Sequence, residues 1–409
     1  MTPPSLAAAD FLADALVARV LSELSTAGEE ARVIGGAVRN ALLGEPVDEV
    51  DIATTAVPAE VTRRMGAAGL KVVPTGIEHG TVTVVGLGRA VEVTTLREDV
   101  ETDGRRAVVR FGRDWTADAR RRDFTINALS VGLDGALRDP IGGYPDIVAR
   151  RIRFIGAAER RIAEDRLRVL RFFRFHARYG SGPPDGEGLS ASIRARHDLR
   201  SLSAERIGQE MKKLVVAPGA AATVAVMQES GILPLVLSGV ADLAGFARLA
   251  AFEAETGRAP EPAVRMTALA VRTAEDALRL TERLRLSNAE RDRMLAALAA
   301  LPVLAMSSGE RGDRAALYRL GARAYGDGVL LALARGLVPP AAAPARLTLP
   351  DRWTPPRFPL SGRDVTAAGI RGPAVGVLLR TLEDGWIAED FEPDAAALRR
   401  RLQAVQQAQ

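Results

Sequence analysis

Residues 164–178 read EDRLRVLRFFRFHAR, two acids followed by five arginines, and the spacing predicts one helix. Helical residues three or four apart share a face, so Asp165 and Arg168 are expected to point the same way. That sets a carboxylate acceptor beside a guanidinium donor. Cytosine and adenine each carry an amino donor next to a ring-nitrogen acceptor on the pairing edge, whereas uracil and guanine carry the inverse order. One Asp/Arg pair could therefore accept the first two bases and reject the others without a nucleic-acid template. An isolated EDxxR is most often a surface salt bridge, and this one gains meaning from what precedes it.

Upstream, Glu49 and Asp51 lie at i and i+2 of an expected strand, VDEVDIATTA, and so on one face. Two carboxylates pointing together are costly unless a cation neutralises them. Mg²⁺ suits such a pair because it prefers oxygen ligands and phosphate. In a two-metal site one ion activates an attacking hydroxyl and the other steadies a leaving pyrophosphate. Glu92, in AVEVTTLR, is a candidate third carboxylate from a neighbouring strand. Gly35 and Gly36 follow a short strand and open a short helix. There, backbone N–H groups can approach phosphate, and Arg39, one turn in, is placed to reach a phosphate oxygen. In the RRDFTINAL segment, Arg122 suits triphosphate oxygens, and Asp123 and Asn127 suit ribose hydroxyls. Phe124, Ile126 and Leu129 of that segment are expected to anchor it in the core.

The elements that must position these residues fall into an order. A chain of 409 residues, 47% hydrophobic, exceeds one compact core. Residues 8–27 read as an amphipathic helix, ARVIGGAVRNALLG as strand–turn–helix, and KVVPTG, GTVTVVGL and AVEVTTLR as strands. Residues 98–113 are charged and glycine-containing and are expected to form a mobile loop. Beyond about 150 helical periodicity dominates, and the proline-rich stretch LVPPAAAPARLTLPDRWTPPRFP reads as a linker before a last helical segment.

Composition narrows the chemistry. The absence of cysteine excludes disulfides, thiolate catalysis and Cys-ligated zinc, and fits a reducing compartment. Three histidines, His79, His176 and His197, form no His-x-x-x-His pair. No apolar run reaches the ~18 residues of a membrane span, and MTPPSLAAADFLADAL lacks the basic start of a secretory leader. A cytoplasmic protein with no membrane contact is the expectation. The net charge is only +4, yet residues 150–178 hold ten arginines against Glu159, Glu164 and Asp165. A basic segment that concentrated points to a phosphate-rich partner.

In order, the chain presents Gly-Gly-x-x-Arg, acid-x-acid, RRDFTINAL, DPIGG, EDxxRxxRxxR and LSAERIGQEMKKLV. This series resembles the class II tRNA nucleotidyltransferase and bacterial poly(A) polymerase family over residues 32–216, and residues 358–398 look like the tail of some members. The resemblance implies an α+β fold, with a polymerase-β-like nucleotidyltransferase head over 1–145. After it would come an all-α neck (146–217), body (218–338), and linker and tail (339–409). It implies that Gly36 and Arg39 meet nucleotide phosphates, Glu49 and Asp51 hold metal, and Arg122 and Asp123 touch triphosphate and sugar. Asp165 and Arg168 would select the base, with Glu164 orienting Arg168, and Arg171 and Arg174 would line the same cleft. The family pair is Asp-x-Asp, and this chain carries Glu-Val-Asp. Aligning Asp48 instead would put the acids at i and i+3, on opposite strand faces. His79 also matches a family position. The implied activity is template-independent addition of CMP, CMP and AMP to the tRNA 3′ end, with Mg²⁺ as cofactor and CTP, ATP and the tRNA acceptor end as partners. Neither haem nor flavin is implied, and the chain would work as a monomer or homodimer. Addition of A-tails to RNA, or of CC or A alone, is the alternative that shares these motifs.

Overall fold

The β-branched runs of the first 140 residues pair into one sheet, and the ends of its central strands gather the acidic and glycine-rich segments. The computed structural model describes residues 4–103 and 106–407, which divide into one unit ending at Val236 and a second starting at Leu237. The first unit begins with α1 (Asp10–Ala13) and α2 (Ala15–Leu24). The single helix expected over 8–27 is thus broken, because Asp14 turns extended and caps α2 through Leu16 N and Val17 N.

The sheet contains β1 (Ala31–Ile34), β2 (Asp51–Thr54), β3 (Lys71–Gly76), β4 (Thr81–Gly86) and β5 (Arg89–Thr95). Two short strands complete it, β8 (Ser130–Val131) and β9 (Leu137–Arg138), giving the order β3-β4-β5-β2-β1-β8-β9. Helix α3 (Gly36–Leu43) leaves the end of β1, and α4 (Pro58–Ala67) follows β2. Strand β2 starts at Asp51, so Glu49 lies in the loop before it rather than on the strand. Residues expected as a mobile loop instead include a hairpin, β6 (Arg97–Asp103) with β7 (Arg106–Phe111). Residues 104 and 105 of that stretch lie outside the described ones.

After the hairpin come α5 (Trp115–Arg120), α6 (Tyr144–Val148), α7 (Ala158–Glu164) and α8 (Arg168–Tyr179). Then follow α9 (Gly186–Arg194), α10 (Ala204–Val215) and α11 (Ala220–Glu229). Apolar positions explain how α8 sits. Val169, Leu170, Phe172, Phe173 and Phe175 are buried, which leaves Arg168, Arg171, Arg174 and Arg178 as a stripe at helical spacing. A phenylalanine cluster knots this helix to the RRDFTINAL segment. Phe124 lies 4.9 Å from Phe154 and 5.0 Å from Phe175, ring centre to ring centre.

The second unit is helical. Asn288–Met306 and Gly309–Ala334 are its longest helices, and the latter bends at Gly321, whose φ is 75°. The proline-rich stretch is not an open linker. It forms short helices at Ala343–Leu347 and Leu349–Arg352 with proline in their first turns, and Val338, Ala343 and Leu349 are buried in the core around Tyr325 and Leu331. A second core gathers Trp386, Leu398 and Leu402 of the last two helices with Tyr318. The boundaries expected after residues 145, 217 and 338 describe a finer subdivision than these two units.

Candidate active site

Strand pairing brings the first constellation together. Ile34 pairs with Asp51 across antiparallel β1 and β2, and Asp51 pairs with Glu92 across parallel β2 and β5. The Gly35-Gly36 turn, next after Ile34, therefore stands beside the first residue of β2. Directly paired residues face the same side of a sheet, where like charges oppose each other. Partial burial raises the Asp51 carboxyl above the ordinary carboxylate range, with Glu92 and Glu49 pushing the same way against Arg122. Among the described residues no three Asp, Glu or His side chains converge closely enough to enclose an ion. Mg²⁺ is usually held by one or two carboxylates together with substrate phosphate. Asp51 with Glu49 or Glu92 fits that demand, since each is an oxygen donor and their mutual repulsion calls for a cation.

Beside Asp51 opens a cleft of about 470 Å³ lined by Gly35, Gly36, Arg39, Asp51, Arg121, Arg122, Asp123, Asn127, Asp165, Leu167, Arg168, Arg171, Phe175 and Arg206. Most of the expected residues share this one space. Glu49 and Glu92 stand on the other side of Asp51, in a neighbouring groove with Asp14, Asp48 and Arg89. Arg174 is not in the cleft wall. It lies one turn beyond Arg171 and is tied to the buried Glu210 of α10 by a 2.5 Å ion pair. His79 ends a short 3₁₀ turn and is exposed, apart from the cleft.

The glycine turn needs its glycines. Gly35 has φ 65° and ψ −116°, and a Cβ there would stand 3.3 Å from Arg122 Nη1. Arg122 is held in place by Asp118, which accepts from its Nη2 at 3.0 Å. Arg39 lines the cleft, and its guanidinium is braced by its neighbours. Its side chain is buried, donating to Asn127 Oδ1 (2.6 Å), Asn40 Oδ1 (2.8 Å) and the Tyr179 hydroxyl (2.7 Å) and lying over the Tyr179 ring. The glycine turn and Arg122 border the same cleft.

Asp123 and Asn127 are also bound into this framework. Asp123 Oδ1 accepts from Phe124 N and Asn127 Nδ2, both at 2.9 Å, while Oδ2 accepts from Arg171. Burial opposes ionisation of Asp123, but Arg171 and Asn127 outweigh it and hold its carboxyl below the usual carboxylate range.

The base-reading pair departs from the single-helix picture. Helix α7 ends at Glu164, and Asp165 is extended, with φ −151° and ψ 110°, before α8 begins at Arg168. Asp165 and Arg168 both face the cleft but take different partners. Asp165 Oδ2 accepts from Arg206 Nη2 at 2.6 Å and Oδ1 from Leu167 N at 3.1 Å. Arg168 Nη1 donates to Glu164 and to the Arg161 carbonyl (2.7 Å), and among the described residues its Nε and Nη2 find no hydrogen-bond acceptor. Two residues escaped the sequence reading. Arg161 is buried, donating from Nη1 to Glu164 (2.6 Å) and from Nη2 to the Arg121 and Arg122 carbonyls, which braces the RRD segment. Arg206 lines the cleft from α10; its only signal in the sequence was a place in the last shared motif, LSAERIGQEMKKLV.

A mixed sheet with carboxylates at its strand ends, facing an arginine-lined cleft, defines the nucleotidyltransferase class. Residues 31–153 match the Poly A polymerase head domain family, and residues 187–243 match the family described as probable RNA and SrmB-binding site of polymerase A. The chain is 34% identical over 369 residues to the mitochondrial CCA tRNA nucleotidyltransferase 1 of Mus musculus, covering 87% of this chain and 82% of that one. It is 40% identical over 234 residues to the CCA-adding enzyme of Geobacillus thermodenitrificans, covering 57% and 56% of the two chains. The crystal structure of the Bacillus stearothermophilus CCA-adding enzyme in complex with CTP superposes with a TM-score of 0.74 at 26% identity, over 95% of this chain and 96% of that one. The chain belongs to the CCA tRNA nucleotidyltransferase family.

Proposed function

We propose that this chain adds CMP, CMP and AMP in turn to the 3′ end of tRNA, taking CTP and ATP as substrates and using no nucleic-acid template. The observation that carries the reading is the cleft in which Asp165 and Arg168 stand across from Gly35, Gly36 and Arg122. A nucleotide lying there would put its triphosphate against the glycine turn and Arg122. Its base would lie against Asp165, which accepts an amino N–H, and against the guanidinium of Arg168, which donates to the ring nitrogen. Asp123, braced by Arg171 and Asn127, retains acceptor capacity for the sugar. Cytosine and adenine satisfy this pair; uracil and guanine would set donor against donor and acceptor against acceptor.

Asp51, with Glu49 or Glu92, would hold Mg²⁺, which lowers the pKa of the attacking 3′-hydroxyl and neutralises phosphate charge. The remaining work belongs to the chain. Arg122 and the turn amides orient the triphosphate for in-line attack on the α-phosphate, and the fixed cleft supplies proximity. The RNA would be held through its backbone, as A-form RNA is read by shape and 2′-hydroxyls. Among the described residues no helix is long and apolar enough to cross a membrane, and the lack of cysteine supports placing the protein in a reducing compartment such as the cytoplasm. The mammalian relatives carry the word mitochondrial in their names.

The test is the product ladder on tRNA lacking its terminal CCA, with each nucleotide alone and with CTP and ATP together. Extension by three nucleotides is expected. Long A-tails would make the chain a poly(A) polymerase of the same fold, and arrest after CC or addition of A alone would make it a partial enzyme.

A further inference from the structure

We propose that Arg206 is a positioning residue for base selection, fixing the carboxylate of Asp165 and through it the choice of incoming nucleotide. The inference rests on the reading of Asp165 and Arg168 as the base-selecting pair. The two members of that pair are held in different ways. Arg168 opens α8 and is tied down locally, by Glu164 one turn back and by the Arg161 carbonyl. Asp165 belongs to neither helix. Its backbone is extended, so no helical packing fixes its side chain. Among the described residues its side chain has two hydrogen-bond donors, the local Leu167 N and Arg206, 41 residues on, at 2.6 Å, with the Arg171 charge also nearby.

Helix α10 is built to deliver that contact. Ile207, Met211 and Leu214 bury one side of it. Arg206 and Glu210 lie at i and i+4 and so share a face. Glu210 meets the arginine stripe of α8, taking Arg174 at 2.5 Å with Arg171 at 4.0 Å, and Arg206 meets Asp165. The same helix thus grips α8 directly and the α7–α8 junction through Asp165. Arg206 occupies one lone pair of Oδ2 and leaves the others for a base amino group. Its planar fork also sets the direction in which the carboxylate faces, which a lysine, acting as a point charge, does less strictly. Selection between an amino and a carbonyl edge depends on that direction.

Arg206→Gln in the full chain, with Mg²⁺, tests the idea. The readout is kcat/KM for CTP against UTP on tRNA lacking CCA, and for ATP against GTP on tRNA ending in CC. A correct bidentate base contact discriminates about tenfold to a hundredfold, and Arg206→Gln is expected to remove several-fold of that. Affinity for tRNA and Tm should stay near the parent values. Arg206→Lys should fall between the parent and Gln. Combining Arg206→Gln with Asp165→Ala should relax selection no further than Asp165→Ala alone, because both act through one carboxylate.

If Asp165→Ala relaxes selection and Arg206→Gln does not, the role of Arg206 is overturned while the base-reading pair stands. Unchanged selection in Asp165→Ala would overturn the pair itself, and this inference with it. An equal rise in KM for all four nucleotides would make Arg206 a triphosphate contact and would likewise overturn the proposal. A loss of Tm with selection intact would leave it a purely structural ion pair, again against the inference.

Discussion

Arg171 grips Asp123 with two guanidinium nitrogens, Nε at 2.8 Å and Nη2, both on the same carboxylate oxygen. The pair joins α8 to the RRDFTINAL segment, and through Asn127 it continues to Arg39 behind the glycine turn. Two walls of the cleft therefore depend on one buried acid. Arg171→Ala should lower stability by about 1.5–3 kcal/mol, the worth of hydrogen bonds to a charged group, since the arginine is one-third exposed. Calorimetry should show a lower Tm, and incorporation should weaken for CTP and ATP alike. A Tm equal to that of the parent would mean the pair is not what joins the two segments.

Asp51 should show activity and stability moving apart. A metal ligand contributes several kcal/mol to catalysis, so Asp51→Asn should lose at least about a hundredfold in kcat. Its charge faces Glu92 directly across the ladder, and relieving such a like-charge pair is worth about 0.2–1 kcal/mol. The variant should be at least as stable as the parent. Incorporation at parental rate would show that the chemistry takes place elsewhere. Chelation of divalent ions should likewise stop incorporation, and Mg²⁺ should restore it.

Asp165→Ala or Arg168→Ala should relax the preference against UTP and GTP, each by roughly tenfold or more, while binding of tRNA to the enzyme, measured by filter retention, stays near parental. Unchanged selectivity in both would remove the base-reading role.

Asp146 sets an acid limit. It is fully buried and accepts from Thr125 Oγ1 (2.6 Å), Arg151 Nε (2.8 Å) and Arg153 Nε (3.0 Å). Burial opposes its ionisation, but Thr125, Arg151 and Arg153 prevail and hold its carboxyl below the usual carboxylate range. A carboxyl depressed in the fold contributes stability above its unfolded pKa and loses it as pH falls through the folded one. Tm should therefore respond little to this group near neutrality and fall below about pH 4. Asp146→Asn should lower Tm at pH 7 and flatten that acid slope. An equally steep slope in the variant would assign the acid loss to other carboxylates, such as Asp118 or Asp123.

Gly35→Ala tests the turn. Its backbone lies where side chains are strained, at about 1–3 kcal/mol, and the new methyl would meet Arg122. Lower Tm and a raised KM for both nucleotides are expected. A KM unchanged for both would separate the turn from the triphosphate.

Much of the site was legible in the chain because its residues come in short motifs whose local geometry follows from period and turn chemistry. The Gly-Gly turn after a strand, Asp51 on β2, Glu92 on the neighbouring strand and the arginine stripe of α8 follow from such patterns. What misled was local continuity. EDRLRVLRFFRFHAR has unbroken helical periodicity, yet the chain opens at Asp165, where an ion pair to Arg206 replaces the helical arrangement. Proline density likewise marks a linker in sequence, and only burial of Val338, Ala343 and Leu349 shows that the stretch packs.

The sequence by itself determined the class of chemistry: which acids, glycines and arginines exist, and in what order they follow the strands and helices. Only the tertiary structure decided their partners. Arg39 turned inward to Asn127 and Tyr179, Arg174 went to Glu210, and Asp165 went to an arginine 41 positions away. A guanidinium reads the same in a sequence whether it will meet phosphate or brace a carboxylate. The choice is made by which buried polar groups the packing leaves in need of a donor.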